Sequence, residues 1–155
     1  MNEREGPAMT AWHEAAHAVV LHESGVGVEK VEVTSTNGGM TTPEAKSLSG
    51  IRDEQIALVA LAGMHAESAV RTDYVMETGL AILFGATADR NLVFDLGSQW
   101  WAQQPTFSKQ ITHNKAQKMV LDHVDKIEKV AKALLAKSGF PKVLASDEFR
   151  TAMSS

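Results

Sequence analysis

Two histidines four residues apart enclose a glutamate in the run His13-Glu14-Ala15-Ala16-His17. On an α-helix that spacing sets the two imidazoles about 40° apart around the axis, so both can reach one ion. Glu14 lies beside them, where its carboxylate can hold and deprotonate a water that the ion has acidified. Zinc suits this arrangement. It accepts histidine nitrogens and lowers the pKa of water from about 15.7 towards ~7. The chain has 6 His and 12 Glu among 155 residues. Chance alone gives this five-residue pattern about 0.02 times in such a chain, against its known tie to zinc hydrolysis.

Two histidines do not complete the site, because catalytic zinc takes three protein ligands and keeps one position open. The extended form of the pattern, with a third histidine six residues on, is excluded by Val20 and Glu23. The chain has no cysteine. That removes thiolate ligands, cysteine nucleophiles and disulfides. The third ligand must then come from Asp89, Asp95, Glu67, His65 or Glu77.

The elements that must position these residues can be read from periodicity and punctuation. The first helix is expected from Pro7 to Ser24, with Pro7 at its first position and Gly25 as its left-handed stop. Val28, Val31 and Val33 mark a strand. The turn-prone Thr36-Asn37-Gly38-Gly39 and a short strand, Met40-Thr41-Thr42, complete a hairpin. A loop over Pro43–Gly50 follows. The second helix is expected from Asp53 to Arg71 on the spacing of Ile56, Val59, Ala60, Gly63, Ala66 and Val70, with Asp53 or Ser49 as its cap. Leu80–Phe84 reads as a buried strand or a packed loop.

A third helix is expected from Thr87 to the tryptophans, with Gly97 as a break and Trp100 and Trp101 packing the core. A loop over Gln103–Phe107 leads to a fourth helix, Thr112–Lys137. Its apolar stripe holds Val120, Val124, Ile127, Val130, Ala131 and Leu134, and Gly139 and Pro141 stop it. Ser146-Asp147-Glu148 caps a final short turn. The fold class is mostly α (α+β): four helices with a small β-hairpin beside the HExxH helix. One domain over 1–155 is expected, with 1–6 and 150–155 disordered.

Composition bounds the function. Hydrophobic residues make up 44% and charged residues 22%, enough to build a core without staples. The net charge of −4 argues against a mainly electrostatic nucleic-acid binder. The charge is uneven. Residues 1–104 hold 6 basic and 14 acidic side chains, and residues 105–155 hold 9 and 5. The basic end reads as a solvated lysine-rich helix. The start MNEREG is not a signal peptide, and the apolar run at Ala57–Met64 is far short of the ~20 residues that span a bilayer. No membrane association and a cytoplasmic location are expected.

Thr10-Ala11-Trp12-His13-Glu14-Ala15-Ala16-His17-Ala18-Val19-Val20 resembles the zinc-site helix of FtsH-type, ATP-dependent metalloproteases. Ala60-Leu61-Ala62-Gly63-Met64-His65-Ala66-Glu67 resembles that family's LAGRxAE helix. Gly85-Ala86-Thr87-Ala88-Asp89 resembles its GAxxD segment, and Met119–Lys137 its long closing helix. The resemblance covers about residues 8–150. It implies that His13, His17 and Asp89 bind Zn2+ and that Glu14 is the general base. Glu67 then stands beside a ligating imidazole, and Gly39, Met40 and Thr41 lie on a strand that takes substrate. His65, His22, His113 and His123 read as surface or packing residues.

The chain departs from the family pattern in several ways. No GxxxxGK[ST] phosphate loop occurs in it, Ala16 replaces a glycine, and residues 74–84 match poorly. The expected activity is therefore an ATP-independent zinc endopeptidase acting on unfolded or short polypeptides. Family members work as rings of six, which adds a homo-oligomer or a separate ATPase as expected partners. The rival readings are a non-catalytic metal-binding or regulatory interaction module, and a different zinc-dependent hydrolysis.

Overall fold

The structure is a computed structural model and describes residues 7–36, 38–47, 51–70 and 102–155. Leu80–Phe84, the helix expected from Thr87, Gly97, Trp100 and Trp101 lie outside the described residues, as do residues 1–6. Among the described residues the architecture is mostly helical, with five α-helices and a small antiparallel sheet of three strands.

Helix α1 (Pro7–Glu23) occupies the centre because it is apolar on nearly every side. Met9, Ala11 and all residues from His13 to Leu21 are buried. A helix hydrophobic all round must be surrounded, and α1 packs against α2 (Asp53–Val70), α4 (Val124–Leu135) and strands β1 (Val28–Ser35) and β2 (Gly38–Pro43). It ends where Gly25 takes φ +87°. There the Gly25 and Val26 amides donate back to the His22 and Leu21 carbonyls at 2.9 and 3.2 Å. Only glycine enters this conformation without strain.

Strand β1 buries Val28, Val31 and Val33. Val28 and Val31 are three apart, out of phase with a strand's period of two. A register shift between Val28 and Lys30 absorbs the extra residue. Strand β2 pairs antiparallel with one side of β1. On the other side lies β3 (Lys142–Ala145), which sequence periodicity did not mark, so the expected hairpin is a three-stranded sheet ordered β2-β1-β3. Four residues carry too little alternation to be recognised, but Leu144 pairs with Val31 and is buried.

The expected helix Thr112–Lys137 is corrected to two. Helix α3 (Thr106–Asp122) begins inside the stretch expected as a loop, and α4 follows after His123. Neither proline nor glycine marks the break. Its cause is tertiary: α3 packs on α2 through Thr112, Ala116 and Val120, whereas α4 packs on α1 through Ile127, Val130, Ala131 and Leu134. Lys126 ties α4 to the end of α1 by donating to Glu23 at 2.6 Å. That contact holds the Glu23 carboxyl below the usual carboxylate range.

The final turn expected at Ser146 is helix α5 (Ser146–Ser154), which buries Phe149, Ala152 and Met153. Residues 150–154, within the tail expected to be disordered, are thus helical: the 149/152/153 spacing gives a short helix an apolar stripe to bury. No described helix is long and apolar enough to cross a membrane.

Candidate metal centre

The pattern read from sequence folds into one cluster. His13, Glu14 and His17 each present a ligand atom, all within 4.8 Å of one another, and all three are buried. His13 Nε2 lies 2.8 Å from His17 Nε2, with the two rings 84° apart. The other nitrogen of each ring meets an acceptor on α2. His13 Nδ1 is 3.0 Å from Glu67 Oε1, and His17 Nδ1 is 2.7 Å from the Val59 carbonyl.

These partners decide the chemistry. A carboxylate and a carbonyl can only accept, so each Nδ1 carries a hydrogen and the two Nε2 atoms are left facing each other. Two Nε2 lone pairs 2.8 Å apart repel unless a proton or a metal ion lies between them. Zinc bound at ~2.0–2.1 Å in tetrahedral geometry sets two ligand nitrogens about 3.3 Å apart, a change of about half an ångström. The histidine–glutamate–histidine group can hold a metal ion. Acceptors behind the ligands fix ring orientation and raise ligand basicity.

Strand β2 secures the third member of the cluster. The Thr41 hydroxyl lies 2.9 Å from Glu14 Oε1 and 3.0 Å from the Glu14 carbonyl. Gly39 makes the approach feasible, because a Cβ there would come within 2.6 Å of Glu14 Cγ and 2.8 Å of the Glu32 carbonyl oxygen. Thr41 and Gly39 were singled out as substrate-strand residues, and their contact with Glu14 carried no sequence signal. If Glu14 is the base, Thr41→Val lowers turnover at least tenfold while zinc content stays at the parent value, since a hydrogen bond to a charged group contributes about 1.5–3 kcal/mol. Thr41→Ser restores most of the rate. Equal turnover in Thr41→Val and parent would contradict this positioning.

The remaining ligand candidates separate. Asp89, Asp95 and Glu77 lie outside the described residues. Glu67 is engaged with His13 Nδ1. Of the surface and packing readings of His65, its burial supports packing. It is buried on α2, with Nε2 3.3 Å from His113 Nδ1 and no partner for Nδ1 among the described residues.

Burial, aided by His113, pushes the His65 pKa from its ordinary 6.5 down to about 4, and burial lowers that of His113 too. In the unfolded chain His65 protonates near 6.5 and in the folded chain only near 4. The unfolded state therefore binds more protons between those values, and the contribution is complete above 6.5 and lost as pH falls towards 4. The loss attributable to His65 is on the order of 3 kcal/mol at most. Urea unfolding at pH 7 and pH 5 measures it. His65→Leu flattens that pH dependence, and an unchanged slope in the variant would contradict the assignment.

Comparison with family models gives no match for the chain, and comparison with curated proteins gives none either. The functional reading rests on the chain's own sequence and on the geometry of the histidine–glutamate–histidine cluster.

Proposed function

We propose that this chain is a zinc-dependent endopeptidase of the FtsH-like type, acting on unfolded or short polypeptides without ATP chemistry of its own. The observation that carries the reading is the convergence of two Nε2 atoms at 2.8 Å beside the Glu14 carboxylate. Each Nδ1 is committed to an acceptor behind it. A surface helix with two unrelated histidines has no reason to bury both rings and to give each a partner on a second helix. His13 and His17 hold the ion in this proposal, with Asp89 as the third ligand on the strength of the Gly85-Ala86-Thr87-Ala88-Asp89 resemblance.

A bound zinc ion supplies Lewis acidity, which makes water a stronger acid and polarises a carbonyl. Glu14 takes the proton from the attacking water and passes it to the leaving amine, so one carboxylate serves as base and then as acid. Thr41 holds that carboxylate in place through both events. Strand β2 has a paired neighbour on one side only among the described residues. Its other edge offers main-chain groups to an extended peptide, a mode of binding that is permissive in side-chain sequence. With no phosphate loop among these residues, opening of folded substrates falls to an ATPase outside them.

The test is cleavage of an unfolded protein such as casein by the purified full chain, with and without a zinc chelator. Cleavage is expected to stop with the chelator and to return when zinc is restored. Cleavage that ignores the chelator, or none by zinc-loaded protein, would overturn the proposal.

A further inference from the structure

Glycine in a helix interior is unfavourable by roughly 1 kcal/mol against alanine, yet Gly63 lies in the middle of α2 (Asp53–Val70). The reason is the ring of His13. A Cβ built on Gly63 would stand 2.6 Å from His13 Cε1, 2.7 Å from Nε2 and 2.8 Å from Nδ1. All three atoms belong to the N–C–N corner that carries both the metal-facing nitrogen and the hydrogen-bonding one. Val59, Gly63 and Glu67 follow at intervals of four and so form a single ridge of α2. The Val59 carbonyl accepts from His17 and the Glu67 carboxylate accepts from His13. Gly63, between them, contributes the space.

We infer that Gly63 is a positioning residue for the metal centre: its missing side chain is the seat that lets the His13 imidazole reach Glu67 and His17 at once. This rests on the metal reading above but makes a separate claim. An added methyl group needs more than 3 Å of clearance. The ring, at the end of a rotatable side chain, can give way without unfolding the chain. It cannot do so and keep both nitrogens in place, and metal–ligand distances tolerate only about 0.2 Å. Gly63→Ala should therefore spare the fold and spoil the site.

The experiment uses the full chain, stripped of metal and titrated with Zn2+, and with Co2+ as a spectroscopic probe of ligand geometry. In Gly63→Ala, zinc affinity should fall at least tenfold and the visible cobalt band should change shape and intensity, with an unchanged far-ultraviolet circular dichroism spectrum. A second readout needs no metal. In the metal-free chain, Gly63→Ala should raise Tm more in a His13→Ala background than in the parent, because the alanine there fills space the ring has left. Unaltered zinc affinity, an unaltered cobalt spectrum and equal Tm shifts in both backgrounds would overturn the inference. Failure of Gly63→Ala to fold even without the His13 ring would do the same. A parent chain that binds no metal would defeat the metal reading, and the two backgrounds would still decide whether Gly63 is the seat of His13.

Discussion

Glu14→Gln is expected to retain zinc at the parent stoichiometry and to lose cleavage of an unfolded substrate by about 10²–10⁴-fold, the usual contribution of a positioned general base. Glutamine keeps the shape of the side chain and an oxygen that can accept from Thr41, which lies 2.9 Å from Glu14 Oε1 in the parent. It cannot take a proton from water. The variant thus separates holding the metal from using it. Glu14 is only 3% exposed, and burying a carboxylate in its charged form is unfavourable unless it is paired and hydrogen-bonded. The neutral glutamine should accordingly leave the fold at least as stable. Full activity in Glu14→Gln would remove the mechanism, whereas loss of zinc in it would make Glu14 a ligand and not the base.

His17→Ala is expected to abolish zinc retention through dialysis and, separately, to destabilise the metal-free chain. The imidazole is fully buried between α1 and α2, and its Nδ1 satisfies the Val59 carbonyl at 2.7 Å. Its removal leaves a cavity and takes away one partner of a buried carbonyl, a loss of about 0.5–1.5 kcal/mol for the hydrogen bond alone. Zinc content by elemental analysis and a urea melt read the two effects on one sample. A His17→Ala chain that keeps zinc and melts like the parent would show that the histidine pair holds neither the ion nor the helix contact.

Much of this site was legible in sequence because it is local. The HEAAH spacing needs only a helix, and Pro7 and Gly25 bracket one. Gly63 was also conspicuous as a helix-interior glycine on the same face as Glu67. What it admits was not legible, since the spacing within α2 says nothing of the His13 imidazole that faces it from α1. The role of Thr41 is similar. It reads as a residue of the substrate strand until β2 is laid beside α1, where its hydroxyl meets Glu14. Strand β3 and the break at His123 escaped for a different reason. One is too short to show a period, and the other is set by α3 and α4 turning to different neighbours, with no helix-breaking residue between them. The burial of His65 likewise depends on α3 crossing α2, which no spacing within α2 reveals.

The most direct measurement is the zinc content of the purified full chain after zinc loading and exhaustive dialysis, read by elemental analysis. One tightly held zinc per chain is expected, because two converging imidazole nitrogens with fixed partners form a site before the ion arrives. A chain that retains no zinc under those conditions would contradict a metal centre at His13 and His17, and the peptidase mechanism would fall with it.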